Sequence, residues 1–181
     1  ARAGNVIGGG DFAVDRIVPD CIRAAQKGEP IFVRNPSSVR PWQHVLEPLG
    51  AYILIAQTQY DSPEFADAYN VGPDDADCIM TGELTELFCS CWGDELKWET
   101  LQGASPAPRE AHYLKLDSSK IRSALRWHPT WNVEAAIRKT VEWTKAYLTQ
   151  REIGAMMDDQ IRNYIASYQK DGTDELDAKS L

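Results

Sequence analysis

At 181 residues, 43% hydrophobic and 25% charged, the chain is long enough for one domain with a buried core and has the balance of a globular protein. Its formal net charge of −8 excludes a general nucleic-acid binder, which needs a basic surface. No apolar run is long enough to span a bilayer and Ala1-Arg2-Ala3-Gly4 is no signal peptide, so no membrane contact and a cytoplasmic location are expected. The charge is unevenly spread: residues 1–45 carry six Lys/Arg against four Asp/Glu, and the remainder thirteen against twenty-three. A locally positive segment in an acidic chain suits an anionic small molecule near the N-terminal third; chance clustering is the alternative. Cys21, Cys78, Cys89 and Cys91 lack redox or zinc spacing and read as free thiols, which fits a reducing compartment, and no metal site is expected.

In chain order, Asn5-Val6-Ile7 is a short β-prone run, followed by Gly8-Gly9-Gly10-Asp11. That glycine run lacks the G-x-G-x-x-G order and is not a dinucleotide phosphate loop. Ile17, Val18, Cys21, Ile22 and Ala25 have helical spacing, and Gly28 ends the helix. Pro30 to Val33 reads as a strand, and Asn35 to Ser38 as a turn. Val39-Arg40-Pro41-Trp42-Gln43-His44-Val45 then leads into a helix with Pro48 at its first position and Leu49, Tyr52, Ile53 and Ala56 on its apolar side, broken at Asp61-Ser62-Pro63. Ala68 to Val71 is a strand. Thr81 caps a helix with Leu84, Leu87, Phe88 and Cys91 on one face, ended by Gly93.

Leu96 to Glu99 and Tyr113 to Leu116 read as strands, separated by a loop over 102–108. Asp117 starts a short helix to Arg126. Asn132 caps another, with a stripe of Val133, Ile137, Val141, Thr144 and Leu148. A last helix places Ile161, Tyr164, Ile165 and Tyr168 on one side, before an acidic tail at 170–181. Within this order Arg40, between a turn and a helix start, is well placed to hold an anion such as a diphosphate; pairing with a surface carboxylate is the plainer alternative. Trp42 and His44 read as packing groups, since His44 has no Ser or Cys partner nearby in sequence.

The segments RAGNVIGGGDFAVDRIVPDCIRA, IFVRNPSSVRPWQHVLEPL and EAHYLKLDSSKIRSALRWHPTWNVEAAIRKTVEWTKAYL resemble the carboxyl-terminal half of an extended short-chain dehydrogenase/reductase. Within that family the Arg-Pro-Trp-Gln-His segment is similar to the CDP-glucose 4,6-dehydratase group. The resemblance implies an α/β fold: an incomplete Rossmann-type parallel sheet plus a small mixed α/β substrate-binding lobe. Residues 1–169 would form the substrate-binding part of an NAD-dependent epimerase/dehydratase-like domain. It implies CDP-glucose or a related nucleotide sugar as ligand, NAD held mainly by an amino-terminal half outside this sequence, and a homodimer in the full-length protein. The implied reaction is a lyase reaction, CDP-glucose to CDP-4-dehydro-6-deoxyglucose and water. No tyrosine here has a lysine four residues on, so the family's Tyr-x-x-x-Lys pair is not in this sequence, no catalytic residue is assigned, and the fragment alone is expected to be inactive.

Residue by residue, the resemblance gives Asn5 and Arg40 to the diphosphate, with Arg40 as its clamp. It places Arg16 near the nucleotide, Phe32 and Arg34 at the base pocket, and His112 at a second phosphate contact. A non-catalytic sugar-nucleotide-binding remnant, or a part of another nucleotide-sugar epimerase or dehydratase, is the alternative reading.

Overall fold

The computed structural model describes residues 1–93, 95–101 and 111–178, with side chains described as far as Lys170. The fold is mixed α/β, with strands in three small groups. Strand β1 (Arg2–Ala3) runs parallel to β5 (Asn70–Val71). Strand β2 (Asn5–Ile7) runs parallel to β4 (Val39–His44), whose other edge pairs antiparallel with β6 (Cys78–Met80). Strand β3 (Ile31–Val33) runs parallel to β7 (Trp98–Thr100). Parallel pairs joined by helices are the α/β arrangement expected from the sequence. Between β1 and β2 the chain changes partner at Gly4, where a Cβ would lie 2.7 Å from the Pro41 carbonyl oxygen. The Gln43 side chain ties the two groups by donating to the Val71 carbonyl at 2.9 Å.

The helices are α1 (Ile17–Lys27), α2 (Leu46–Asp61), α3 (Thr81–Trp92), α4 (Ser119–Leu125), α5 (Val133–Leu148) and α6 (Ile153–Ala178). Most of their ends follow the expected chemistry. Gly28 takes a left-handed φ of 67°, and the N–H groups of Gly28 and Glu29 close onto the Ala25 and Ala24 carbonyls. The Asn132 side chain accepts from the Ala135 N–H at 2.9 Å. Thr81 is instead the first residue of α3, and its hydroxyl donates to the Ser38 carbonyl at 3.1 Å. One core joins Val18 and Cys21 of α1, Leu84 and Phe88 of α3, and Ile137 and Val141 of α5 around Ile31, Val33 and Trp42. A second gathers Ala51, Ile55, Tyr69, Val71, Ile121 and Trp127. All four cysteines are free, as their spacing implied.

Four expectations need correction. Val39–His44, read only as the lead into a helix, is a strand that Pro41 and the polar residues around it disguise. Tyr113 to Leu116 is no strand: Tyr113 makes a single bridge to Val39, because the next ladder bond would need an N–H from Pro41. Pro48 is the third residue of α2, where its missing N–H is still one of the unpaired first four. And α2 is turned the other way. Glu47, Pro48, Ala51 and Ile55 face inward, while Leu49, Tyr52 and Ile53 are exposed. In the later helices Leu148, Ile161 and Ile165 are likewise exposed and Thr140 and Gln160 buried, while Tyr164 is buried as expected. The loop expected over 102–108 lies outside the described residues.

The orientation of α2 can be tested directly. Ile55→Ala empties a buried site and should cost about 2–4 kcal/mol of unfolding free energy. Ile53→Ala, on the exposed side, should stay within about 0.5 kcal/mol of the parent. Urea titrations of the two variants give the comparison, and equal losses would mean the helix is rotated.

Candidate functional site

A cleft of about 690 Å³ opens beside the β2–β4 pair. One wall is β2, the loop after it and the first turn of α1; the other is the end of β3, the turn at 35–38 and the start of β4. In the parallel register Asn5 lies opposite Trp42, and Arg40 is two residues before Trp42 on the same strand. Asn5, Arg40 and Trp42 therefore share one sheet face, and all three line the cleft. Trp42 is fixed by its indole N–H, which donates to the Ile79 carbonyl at 3.2 Å. Arg40 is only 6% exposed and donates from Nη1 to the Val39 carbonyl at 2.8 Å. The turn before it is braced from behind, because the N–H groups of Thr81 and Gly82 at the start of α3 donate to the Ser38 and Pro36 carbonyls.

Phe32 is 53% exposed between two buried neighbours, Ile31 and Val33, so alternation along β3 turns it into the cleft and not into the core. Arg34 and Arg16 also line the cleft. His112 does not: it is exposed, and its carbonyl accepts the Val39 N–H at 2.9 Å. Five of the six candidate residues thus meet in one cavity. Sequence reasoning missed its carboxylates. Asp11 pairs with Arg16 at 3.2 Å and Asp15 pairs with Arg34, so the cleft is not the positive patch that the local charge count suggested.

The glycine run shapes the cleft by packing. A Cβ on Gly9 would fall 2.1 Å from the Trp143 indole, and one on Gly8 would fall 2.8 Å from Val45. The loop lies flush on α5, where Trp143 stacks on Tyr147 and Tyr147 meets Phe12. Gly10, at a φ of 82°, turns the chain back toward Asp11.

At the carboxyl end of β4 lies a buried polar cluster that the sequence did not announce. Glu47 has no solvent exposure. Its carboxylate accepts from the Trp131 N–H at 2.8 Å, the Thr130 N–H at 3.1 Å and the Tyr164 hydroxyl at 3.1 Å. Asp77 accepts the Val133 N–H at 2.8 Å, so two acids hold the entry to α5. His44 is buried edge-on against Trp131, with Nδ1 accepting the Leu46 N–H at 3.3 Å. That makes it a packing group, as its isolation in the sequence implied.

No family model matches the chain. It is 41% identical over 167 residues to a CDP-glucose 4,6-dehydratase from Salmonella typhimurium, a match over 92% of this chain and 46% of that protein. The chain therefore spans about half the length of the curated relative it matches. Its fold matches a UDP-glucuronic acid 4-epimerase from Bacillus cereus in complex with UDP-glucuronic acid and NAD, at a TM-score of 0.68 and 14% identity over 81% of this chain and 44% of that one. It also matches a dTDP-glucose 4,6-dehydratase from Bacillus anthracis in complex with NAD, at a TM-score of 0.64 and 17% identity over 83% and 45%. The fold is that of the Rossmann-type extended short-chain dehydrogenase/reductase enzymes, and the sequence match is a partial, carboxyl-terminal one to the CDP-glucose 4,6-dehydratases. Among the described residues no helix is long and apolar enough to cross a membrane.

The buried acid gives a pH-dependent prediction. Burial pushes the Glu47 carboxyl up to about 7 from its ordinary 4.5, against the pull of its three hydrogen bonds. Between those values the folded chain keeps a proton that the unfolded chain has lost, so this contribution to stability falls as pH rises through the window. The full effect is about 3 kcal/mol. His44 acts in the opposite direction: burial holds it down at about 4, and its contribution is lost as pH falls from 6.5. The urea stability of the parent minus that of Glu47→Gln isolates the acid, and should drop by up to about 3 kcal/mol from about pH 4.5 to 7. A constant difference would mean that Glu47 stays ionised throughout.

Proposed function

We propose that this cleft binds the diphosphate and base of a nucleotide sugar, CDP-glucose first, and that the chain supplies the sugar-nucleotide half of a CDP-glucose 4,6-dehydratase site. The observation that carries the reading is the shared face of Asn5 and Arg40, two groups from separate strands that line one cavity with Arg16, Arg34 and Phe32. Arg40 is the clamp, because a guanidinium fork matches phosphate oxygens and a partly desolvated setting strengthens the contact. The Asn5 amide donates to a neighbouring phosphate oxygen. The first turn of α1 lines the same space, and a helix N-terminus favours an anion. Phe32 offers an exposed ring on which a base can stack. The cavity volume lies within the range of small-molecule and cofactor pockets.

The whole enzyme would convert CDP-glucose to CDP-4-dehydro-6-deoxyglucose and water with NAD, as a homodimer. The residues of this chain do not fit the NAD diphosphate: Gly8 and Gly9, the one glycine-rich loop, are pressed against Val45 and Trp143 and form no cradle. NAD would be held by the part of the relatives that this chain does not span, and so would the acid–base groups of the reaction. His112 has no place in this reading, since its side chain lies outside the cleft. A second reading, another nucleotide sugar, has the fold match to the UDP-glucuronic acid epimerase in its favour.

Calorimetric titration with CDP-glucose and with UDP-glucose tests both. Arg40→Gln should weaken CDP-glucose binding by about 2–4 kcal/mol, the loss of a charge-assisted contact in a desolvated site. Arg162→Gln, on the exposed side of α6, should change nothing. A melting curve confirms that Arg40→Gln is folded, and unchanged affinity would make Arg40 structural. Tighter binding of UDP-glucose would favour the second reading.

A further inference from the structure

Three arginines and three aspartates line the cleft, and two of each meet as ion pairs. Arg16 meets Asp11 within the loop that leads into α1. Arg34, at the end of β3, meets Asp15 from the opposite wall, nineteen residues earlier, so this pair spans the cleft. We propose that Asp11 and Asp15 are displaceable counter-ions, which hold Arg16 and Arg34 inside the cleft and give them up to the phosphates of an incoming anion. The inference rests on reading the cleft as a diphosphate site and adds what sets its affinity.

Three features support exchange over a permanent brace. Both pairs are solvent-exposed, with side-chain exposures of 65% and 29% for Arg16 and Asp11 and 54% and 75% for Arg34 and Asp15. Exposed pairs of this kind are weak, so a ligand that carries more charge on more acceptor oxygens outcompetes them. The loop is secured by other bonds: Arg23 donates to the Phe12 and Ala13 carbonyls, and Gly9 packs on Trp143. Breaking the ion pairs therefore leaves the wall standing. Finally, a carboxylate left beside a bound phosphate would repel it, and Asp15 has the exposure to swing out to water. In a chain of net charge −8, these carboxylates also keep smaller, singly charged anions from occupying the arginines.

The test uses inorganic pyrophosphate, titrated calorimetrically into the chain at low ionic strength. The variant Asp11→Asn/Asp15→Asn removes both competing charges. It should fold, because Asn keeps the acceptor oxygen that Asp11 offers to the Ala13 N–H, and Asn tolerates the left-handed φ of 59° at residue 15. Glu29→Gln/Asp61→Asn removes the same charge from residues that do not line the cleft. The expected result is roughly three- to twenty-fold tighter pyrophosphate binding in the cleft variant, and a smaller change in the control. Weaker or equal binding in the cleft variant, or an equal gain in the control, overturns the inference and leaves the diphosphate site intact. If neither the parent nor the cleft variant takes up pyrophosphate, the diphosphate reading falls with it.

Discussion

Pro41 sits in the middle of β4 with no N–H to donate, and the arrangement around it follows from that gap. From Trp42 to His44 the strand pairs with β2; from Val39 to Pro41 its antiparallel partner is β6. On the β2 side, the bridge from Val39 to Tyr113 is not continued, since its next bond would come from Pro41. Along that edge the strand is therefore bridged by Tyr113 at one end and paired with β2 at the other, with Arg40 and Pro41 between the two. Gly4 lets the chain pass close to the Pro41 carbonyl and change partner just before Asn5. The proline that breaks the strand pattern in the sequence thus marks the point, next to Arg40, where β4 changes partner.

The burial of β4 places demands on its surroundings. Arg40, Gln43 and His44 are polar groups taken out of water, and each has to be given partners or an aromatic wall. Gln43 reaches Val71, and His44 meets Trp131. Trp131 is in turn held by Glu47 through its N–H, and Glu47 belongs to the helix that follows β4 directly. One carboxylate thus links α2, the entry to α5, and α6 through Tyr164. Such a linkage is costly to leave unpaired, so it fixes one arrangement of the three elements more sharply than apolar contact would.

That also explains which parts of the structure could be read from the sequence. Elements with a strong single-faced pattern and a clear end signal, such as α1 with Gly28 and α5 with Asn132, were readable to within a residue or two. The candidate residues that met in the cleft came from resemblance to known motifs, because nothing in periodicity reveals that Asn5 and Arg40 will share a sheet face. Asp11 and Asp15 escaped notice because an acidic residue in a loop has a ready explanation as a solvated charge. Glu47 gave no signal, since a glutamate in a first helical turn is ordinary and its three partners lie more than eighty residues away in the chain.

Helix α2 shows where pattern reading reaches its limit. Its sequence, LEPLGAYILIAQTQYD, is apolar on two sides, so hydrophobic spacing alone fits either orientation. The decision falls to one polar residue. Glu47 has to meet the N–H groups of Thr130 and Trp131, which turns Ala51 and Ile55 inward and leaves Leu49, Tyr52 and Ile53 outside. Burying that face would gain more area, since Ile53 is 69% exposed, but it would strand the carboxylate or carry it into water and open the entry to α5. Where a helix has two apolar sides, the hydrogen bonds that only one orientation can make decide the packing.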